Sequence, residues 1–270
     1  MSASYGRQRR PGPIDPNALS TPPAPWTPAS ISTALWLDGD DSTTITLESS
    51  AVSEWRDKSG NTRHVTQGTA GARPAMSTFG GLDAVSFDGG DQLVNSSTGI
   101  TSGTYSGELS IVYVATRADS TGGTILSDRT TGNAAVFQWW QAGDRYIFTD
   151  GANAGSNHLV GSGVFALLDS GGAVVVHQHV SGARDNLWVN GTSQTVDTGT
   201  ATDITGSAGF KIGVRETGAA LWNGLICEII AVTALTTTNR QLLEGYLAWK
   251  WGLEADLPGG HPYLAAAPTV

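Results

Sequence analysis

The chain has 270 residues, of which only 14% are charged and 35 are glycine, and its net charge is −9. No run reaches the roughly 18 apolar residues of a membrane-spanning helix, and a single cysteine, Cys227, excludes an intrachain disulfide framework. Residues 1–30 hold Arg7, Arg9, Arg10 and Asp15, a net of +2, which leaves −11 for the remainder and argues against a nucleic-acid-binding surface.

The N-terminal segment comes first in chain order. Pro11, Pro13, Pro16, Pro22, Pro23, Pro25 and Pro28 forbid a helix there and favour extended polyproline II. At about 3.1 Å per residue, such an arm reaches on the order of 90 Å. The arginines are followed by no apolar stretch, so no secretory signal is expected. Tyr5, Ile14, Leu19 and Trp26 are apolar groups that a solvated linker does not need. Residues 1–30 are therefore read as an anchoring arm, with Trp26 as an apolar anchor on a partner protein and Arg7, Arg9 and Arg10 near its acidic groups. Residues 31–270 form the expected domain.

Strands dominate from residue 30 onward. The clearest runs are 34–37, 44–47, 84–87, 109–115, 124–127, 135–140, 146–149, 174–180, 187–189, 210–214 and 225–232. Asn190-Gly191 predicts a two-residue hairpin, because a type I′ turn needs positive φ at both positions. Gly89-Gly90, Gly122-Gly123 and Gly171-Gly172 mark further turns. Nothing alternates strand with helix, so a parallel sheet is not expected.

Candidate chemistry along these strands is sparse. Asp38, Asp40 and Asp41, or Asp88 and Asp91, offer hard oxygen ligands for Ca²⁺ as a cofactor; the alternative is Asx-turns at strand ends. His177 and His179 share one face of a strand, as a zinc pair would, yet no third ligand stands at a set spacing. They fit equally a polar strand face. Cys227, in an apolar run without an adjacent histidine, reads as a small buried hydrophobe. Of Trp139 and Trp140, which point to opposite faces, one is free to serve as a sugar-stacking platform or interface anchor.

The C-terminal segment carries the clearest local signal. After the 225–232 strand, Thr236 to Thr238 offer a hydroxyl N-cap. Leu242, Leu243, Tyr246, Leu247, Trp249 and Trp251 then recur at helical spacing, and Gly252 stands where a terminating glycine belongs. The spacing predicts one long helix over 237–251, closing one end or edge of an all-β sandwich.

The same residues carry a resemblance. GLICEIIAV (224–232), NRQLLEGYLAWKWGL (239–253) and LPGGHPY (257–263) resemble the end of laminin-G-like, concanavalin A-like jelly-roll domains, in the version found in bacteriophage structural proteins. PWTPASISTALWLDGDD (25–41), SEWRDKSGNTRH (53–64) and AVSFDGGDQL (84–93) are similar to that group's opening blocks, and LWVNG (187–191) to its late hairpin. The fold implied is an all-β concanavalin A-like jelly-roll β-sandwich with one C-terminal α-helix and an extended Pro-rich arm. Glucanase relatives of this fold place two or three carboxylates at alternate positions of one strand. No such strand exists here: Glu228 stands among apolar residues, and Glu54 and Asp57 are wrongly spaced. The resemblance thus implies a non-enzymatic virion protein, a head decoration or tail-associated component. It would be present in several copies or as a homo-oligomer, held to other virion proteins by its arm, with no nucleic-acid or membrane partner. The alternative is a lectin module, with or without Ca²⁺, that binds host-surface glycan. Asp88 and Asp91 are its metal candidates.

Overall fold

The computed structural model describes residues 23–101, 104–105, 107–118, 123–127, 137–142, 145–150, 157–160, 167–169, 171–197, 200, 203–205, 208–215 and 218–270. The arginines expected in the arm, Arg7, Arg9 and Arg10, lie outside the described residues, as do the side chains of Trp139 and Trp140.

The spine is the ten-residue strand Asn223–Val232. It runs antiparallel to Glu108–Ala115 on one side. On the other it pairs with Leu82–Asp88 through its first half and with Leu35–Asp38 through its second. Ala173–Val180 extends this back sheet beside Glu108–Ala115, and Asn186–Val189 follows. A second, front sheet runs outward from Ile45–Glu48 and Ala51–Trp55 through Val65–Thr66, Leu93–Asn95, Phe210–Ile212 and Thr124–Ser127. It continues through Phe137–Ala142, Arg145–Asp150, Asn157–Val160 and Val196–Asp197. Ala75–Phe79 links the two sheets, pairing along Leu82–Asp88 and meeting Ala51 at Ala75.

The back sheet is apolar on both faces because both are covered, which explains runs such as VYVA and VVV that do not alternate. Leu37, Ile111, Tyr113, Val175, Ile229 and Ala231 face the front sheet in one cluster. Trp36, Val112, Val114, Val176, Ile230 and Val232 face the other way in a second. Helix α1, Thr237–Trp251, closes that second cluster with Leu243, Leu247, Ala248 and Trp251. Its ends match the sequence expectation. The Thr236 side chain accepts from the N–H of Asn239 at 3.1 Å, and Gly252 terminates it at φ 71°. Asn190 and Gly191 also take the positive φ values, 47° and 73°, that the hairpin demands.

A β-bulge interrupts the spine between Ile226 and Glu228. The extra residue, Cys227, shifts the alternation so that Cys227 and Glu228 both face the helix, whereas Ile226 and Ile229 face the front sheet.

One expectation is corrected here. Trp26 is only 6% exposed and packs into the helix-side cluster, edge-on to Tyr246 at 6.1 Å. Its backbone N–H donates to the carbonyl of Pro268 at 3.0 Å, Pro25 bridges Thr269, and Val270 donates to Ala24 at 2.9 Å. The indole is consumed by the chain's own core, so it is no partner-facing anchor, and the packed domain begins before residue 31.

Candidate functional site

On the front sheet, Ile45, Trp55 and Val65 stand in one cross-strand row whose side chains enter the inter-sheet core. One position along, Thr46, Glu54 and Thr66 form the neighbouring row, which faces outward. A second bulge, at Ser53, adds to this outer surface, and the Ser53 hydroxyl donates to the carbonyl of Thr46 at 3.1 Å. Together these residues floor an open groove of about 330 Å³ lined by Thr46, Glu48, Ser53, Glu54, Thr66, Gln67, Gly68 and Arg73.

The groove's polar groups are fixed by neighbours. Glu54 Oε2 accepts from Thr46 Oγ1 at 3.2 Å and from Arg56 Nε at 2.8 Å. Gln67 Nε2 donates to the carbonyl of Gln92 at 3.0 Å, while its Oε1 accepts from the N–H of Thr69 at 2.9 Å. Arg73 donates through Nε to the carbonyl of Gln67 at 2.8 Å and pairs with Glu48 at 2.6 Å. Glu48 abuts the Ser49-Ser50 turn, where both serines have positive φ (51° and 66°), a conformation that costs non-glycine residues on the order of 1–3 kcal/mol and concentrates at functional sites. Hydroxyls, an amide, carboxylates and a guanidinium, held on strands, suit a hydroxyl-rich ligand.

A second constellation lies on the opposite face of the back sheet, under helix α1. Asp38 and Glu228 stand directly opposite each other across paired strands. Lys250 reaches down from the helix to Asp38 at 2.5 Å and to Glu228 at 2.9 Å, and Lys58 contacts Asp38 at 2.8 Å. Trp36 Nε1, Trp251 Nε1 and Tyr246 Oη also donate to Glu228, at 2.7, 3.0 and 3.1 Å. Burial and then the Asp38 charge push the Glu228 carboxyl above its ordinary range, against the pull of Lys250. Burial lowers the Lys250 amine, but Glu228 and Asp38 overcome it and the net direction is upward. A pair of carboxylates therefore exists, built from two strands rather than one. Glu228 has no exposed surface, and the pair is sealed by the helix and spent on Lys250. A substrate cannot reach it.

The other singled-out residues have local roles. Asp88 Oδ1 accepts from Gly90 N at 2.8 Å, and Asp91 Oδ2 accepts from Asp88 N at 3.1 Å, so this pair closes its own turn. Asp41 caps Thr43 at 3.1 Å and pairs with Lys58 at 2.8 Å; chiefly the lysine hydrogen bond holds its carboxyl down at about 2. Among the described residues no three His, Cys, Asp or Glu side chains converge as a metal centre. His177 and His179 share a face as expected, but it is an interior face: both are buried and hydrogen-bonded to buried Asp185, at 3.2 and 3.0 Å. Cys227 is buried, and burial pushes its thiol strongly up. Of the groove residues only Glu54 stands out in the sequence as candidate chemistry. For Thr46, Glu48 and Ser53 the one signal was the polar alternation of ITLE and AVSEW, broken at Ser53 by the bulge, and no local pattern marks Thr66, Gln67, Gly68 or Arg73.

No family model matches the chain, and no curated protein matches it. Solved structures do. The botulinum neurotoxin serotype D binding domain superposes with a TM-score of 0.58 at 11% identity, over 79% of this chain and 50% of that one. The binding domain of Paraclostridial Mosquitocidal Protein 1 gives 0.56 at 10% identity, over 79% and 52%. A botulinum neurotoxin type C structure, of a toxin that depends on interaction with two ganglioside molecules to enter cells, gives 0.54 at 13% identity, over 80% and 51%. The chain spans about half the length of these proteins. The likeness is one of fold, and it bears on the β-sandwich rather than on a phage setting.

Proposed function

We propose that the chain is a non-catalytic carbohydrate-binding module that takes a glycan into the groove between Thr46 and Arg73. The observation that carries this is the groove itself, open, polar and pre-set by hydrogen bonds that leave few side-chain rotamers to freeze on binding. The dependence of the type C toxin on gangliosides supports the same ligand class for this sandwich. Against hydrolysis stands the chemistry of the two carboxylate pairs. Asp38 and Glu228 are sealed, and Glu48 and Glu54 are ion-paired to Arg73 and Arg56 in polar surroundings, unlike the apolar setting of a glycosidase general acid.

The attachment role of residues 1–22 belongs to the same proposal. The chain enters the domain at Pro25 and Trp26 on the helix side, the face away from the groove. A module held through those residues turns its groove outward, and a virion is the setting the sequence resemblance implies. A glycan array with and without Ca²⁺, followed by calorimetry on any ligand found, tests the binding. Glu54→Ala is expected to weaken affinity at least about tenfold, the loss of a charge-assisted hydrogen bond, with the ligand recovered uncleaved. Absence of binding to every glycan overturns the proposal.

A further inference from the structure

Arg73 and Glu48 differ in how they are held. The Arg73 side chain is 8% exposed and the Glu48 side chain 60%. Two backbone carbonyls orient the guanidinium without help from Glu48: Gln67 O accepts from Nε at 2.8 Å and Gly68 O from Nη2 at 3.1 Å. Glu48, by contrast, is ion-paired to Arg73 through one oxygen on Nη2. No described protein group takes Nη1. The groove therefore contains a fixed guanidinium with open donors, covered by a carboxylate that can swing into solvent.

We infer that Glu48 is an internal stand-in for a ligand carboxylate, and that the groove selects glycans carrying an acidic sugar, a uronate or a sialic acid, whose carboxylate replaces Glu48 on Arg73. This rests on the carbohydrate-binding proposal and narrows it. A planar guanidinium with free donors on one edge receives a carboxylate in two parallel hydrogen bonds, a geometry that neutral hydroxyls do not fill. The Thr46, Ser53 and Thr66 hydroxyls and Glu54 remain to meet the sugar's own hydroxyls. Exchange is favoured because Glu48 loses a single contact, while the incoming group gains Nη1 as well.

The test is calorimetry of the full chain with methyl α-sialoside, methyl β-glucuronide and methyl β-glucoside. At least one acidic glycoside should bind about tenfold or more tightly than the glucoside, as a charge-assisted bidentate pair implies; the two acidic arms tell sialic acid from uronate. Arg73→Lys should abolish that preference, since an ammonium cannot form the fork. Glu48→Gln, at an exposed site and checked for an unchanged melting temperature, should tighten the acidic glycoside severalfold relative to the glucoside. Equal affinity for all three sugars, binding of the glucoside only, or weakening of the acidic glycoside by Glu48→Gln overturns the inference while carbohydrate binding survives. If none of the three sugars and no glycan of a wider array binds, the inference falls together with the proposal beneath it.

Discussion

Lys250 holds together two carboxylates that face each other across paired strands beneath helix α1. With the ammonium removed, Asp38 and Glu228 are left facing each other across the strands without their shared counter-ion, although Lys58 still reaches Asp38. Lys250→Met is accordingly expected to destabilise the fold by about 3–5 kcal/mol, the range for breaking a buried ion pair from one side, read by chemical denaturation at neutral pH. Asp91 makes a separate, pH-dependent prediction. Burial, and more weakly the Asp88 charge, raise its carboxyl from 3.8 to about 6, against the N–H of Asp88 that pulls it down. A folded-state value above the unfolded one favours folding at low pH, and that advantage fades as pH rises through about 4 to 6. Asp91→Asn should therefore be more stable than the parent at pH 7 and lose most of that lead at pH 4, in denaturation measured at both values.

Helix α1 is the element whose limits were readable in advance, because its signals are local: a threonine cap, apolar spacing and a terminal glycine all lie within one segment. Leu243→Ala should cost about 2–5 kcal/mol, as truncation of a fully buried leucine does, whereas Trp249→Ala, at a partly exposed indole, should cost far less. A thermal-melt comparison of the two variants checks which helix face carries the packing. The strand Ala51–Trp55 was not legible, and the reason is the bulge: Val52 and Trp55 both point inward although three apart, which breaks the period of two. Asp38 with Glu228 was hidden for another reason. Their encounter depends on strand register, and no local pattern in either segment states which strand will lie beside it. The groove combines both difficulties, since a bulge, a register and the separate segment that carries Arg73 must coincide to form it.

At the scale of the whole molecule, two sheets and a helix stack as three layers, with the groove outside the first and the clasped chain segments outside the last. The apolar anchor expected to reach a partner was spent on this clasp, which composition could not reveal because Trp26 suits either use. Removing residues 1–22 should leave the sandwich folded, and extending the deletion through Trp26 should cost about 3–5 kcal/mol, the range for losing a buried tryptophan.

Ala24 and Val270 are already hydrogen-bonded across the clasp. In a variant cut to residues 24–270, a short peptide link between them would close the polypeptide into a covalent ring. The gain would fall on the unfolded chain, which loses the freedom of its two loose ends, on the order of 5 kcal/mol for a loop this long. Such a circle would resist exopeptidases entirely, while its groove, three layers away, stayed as it is.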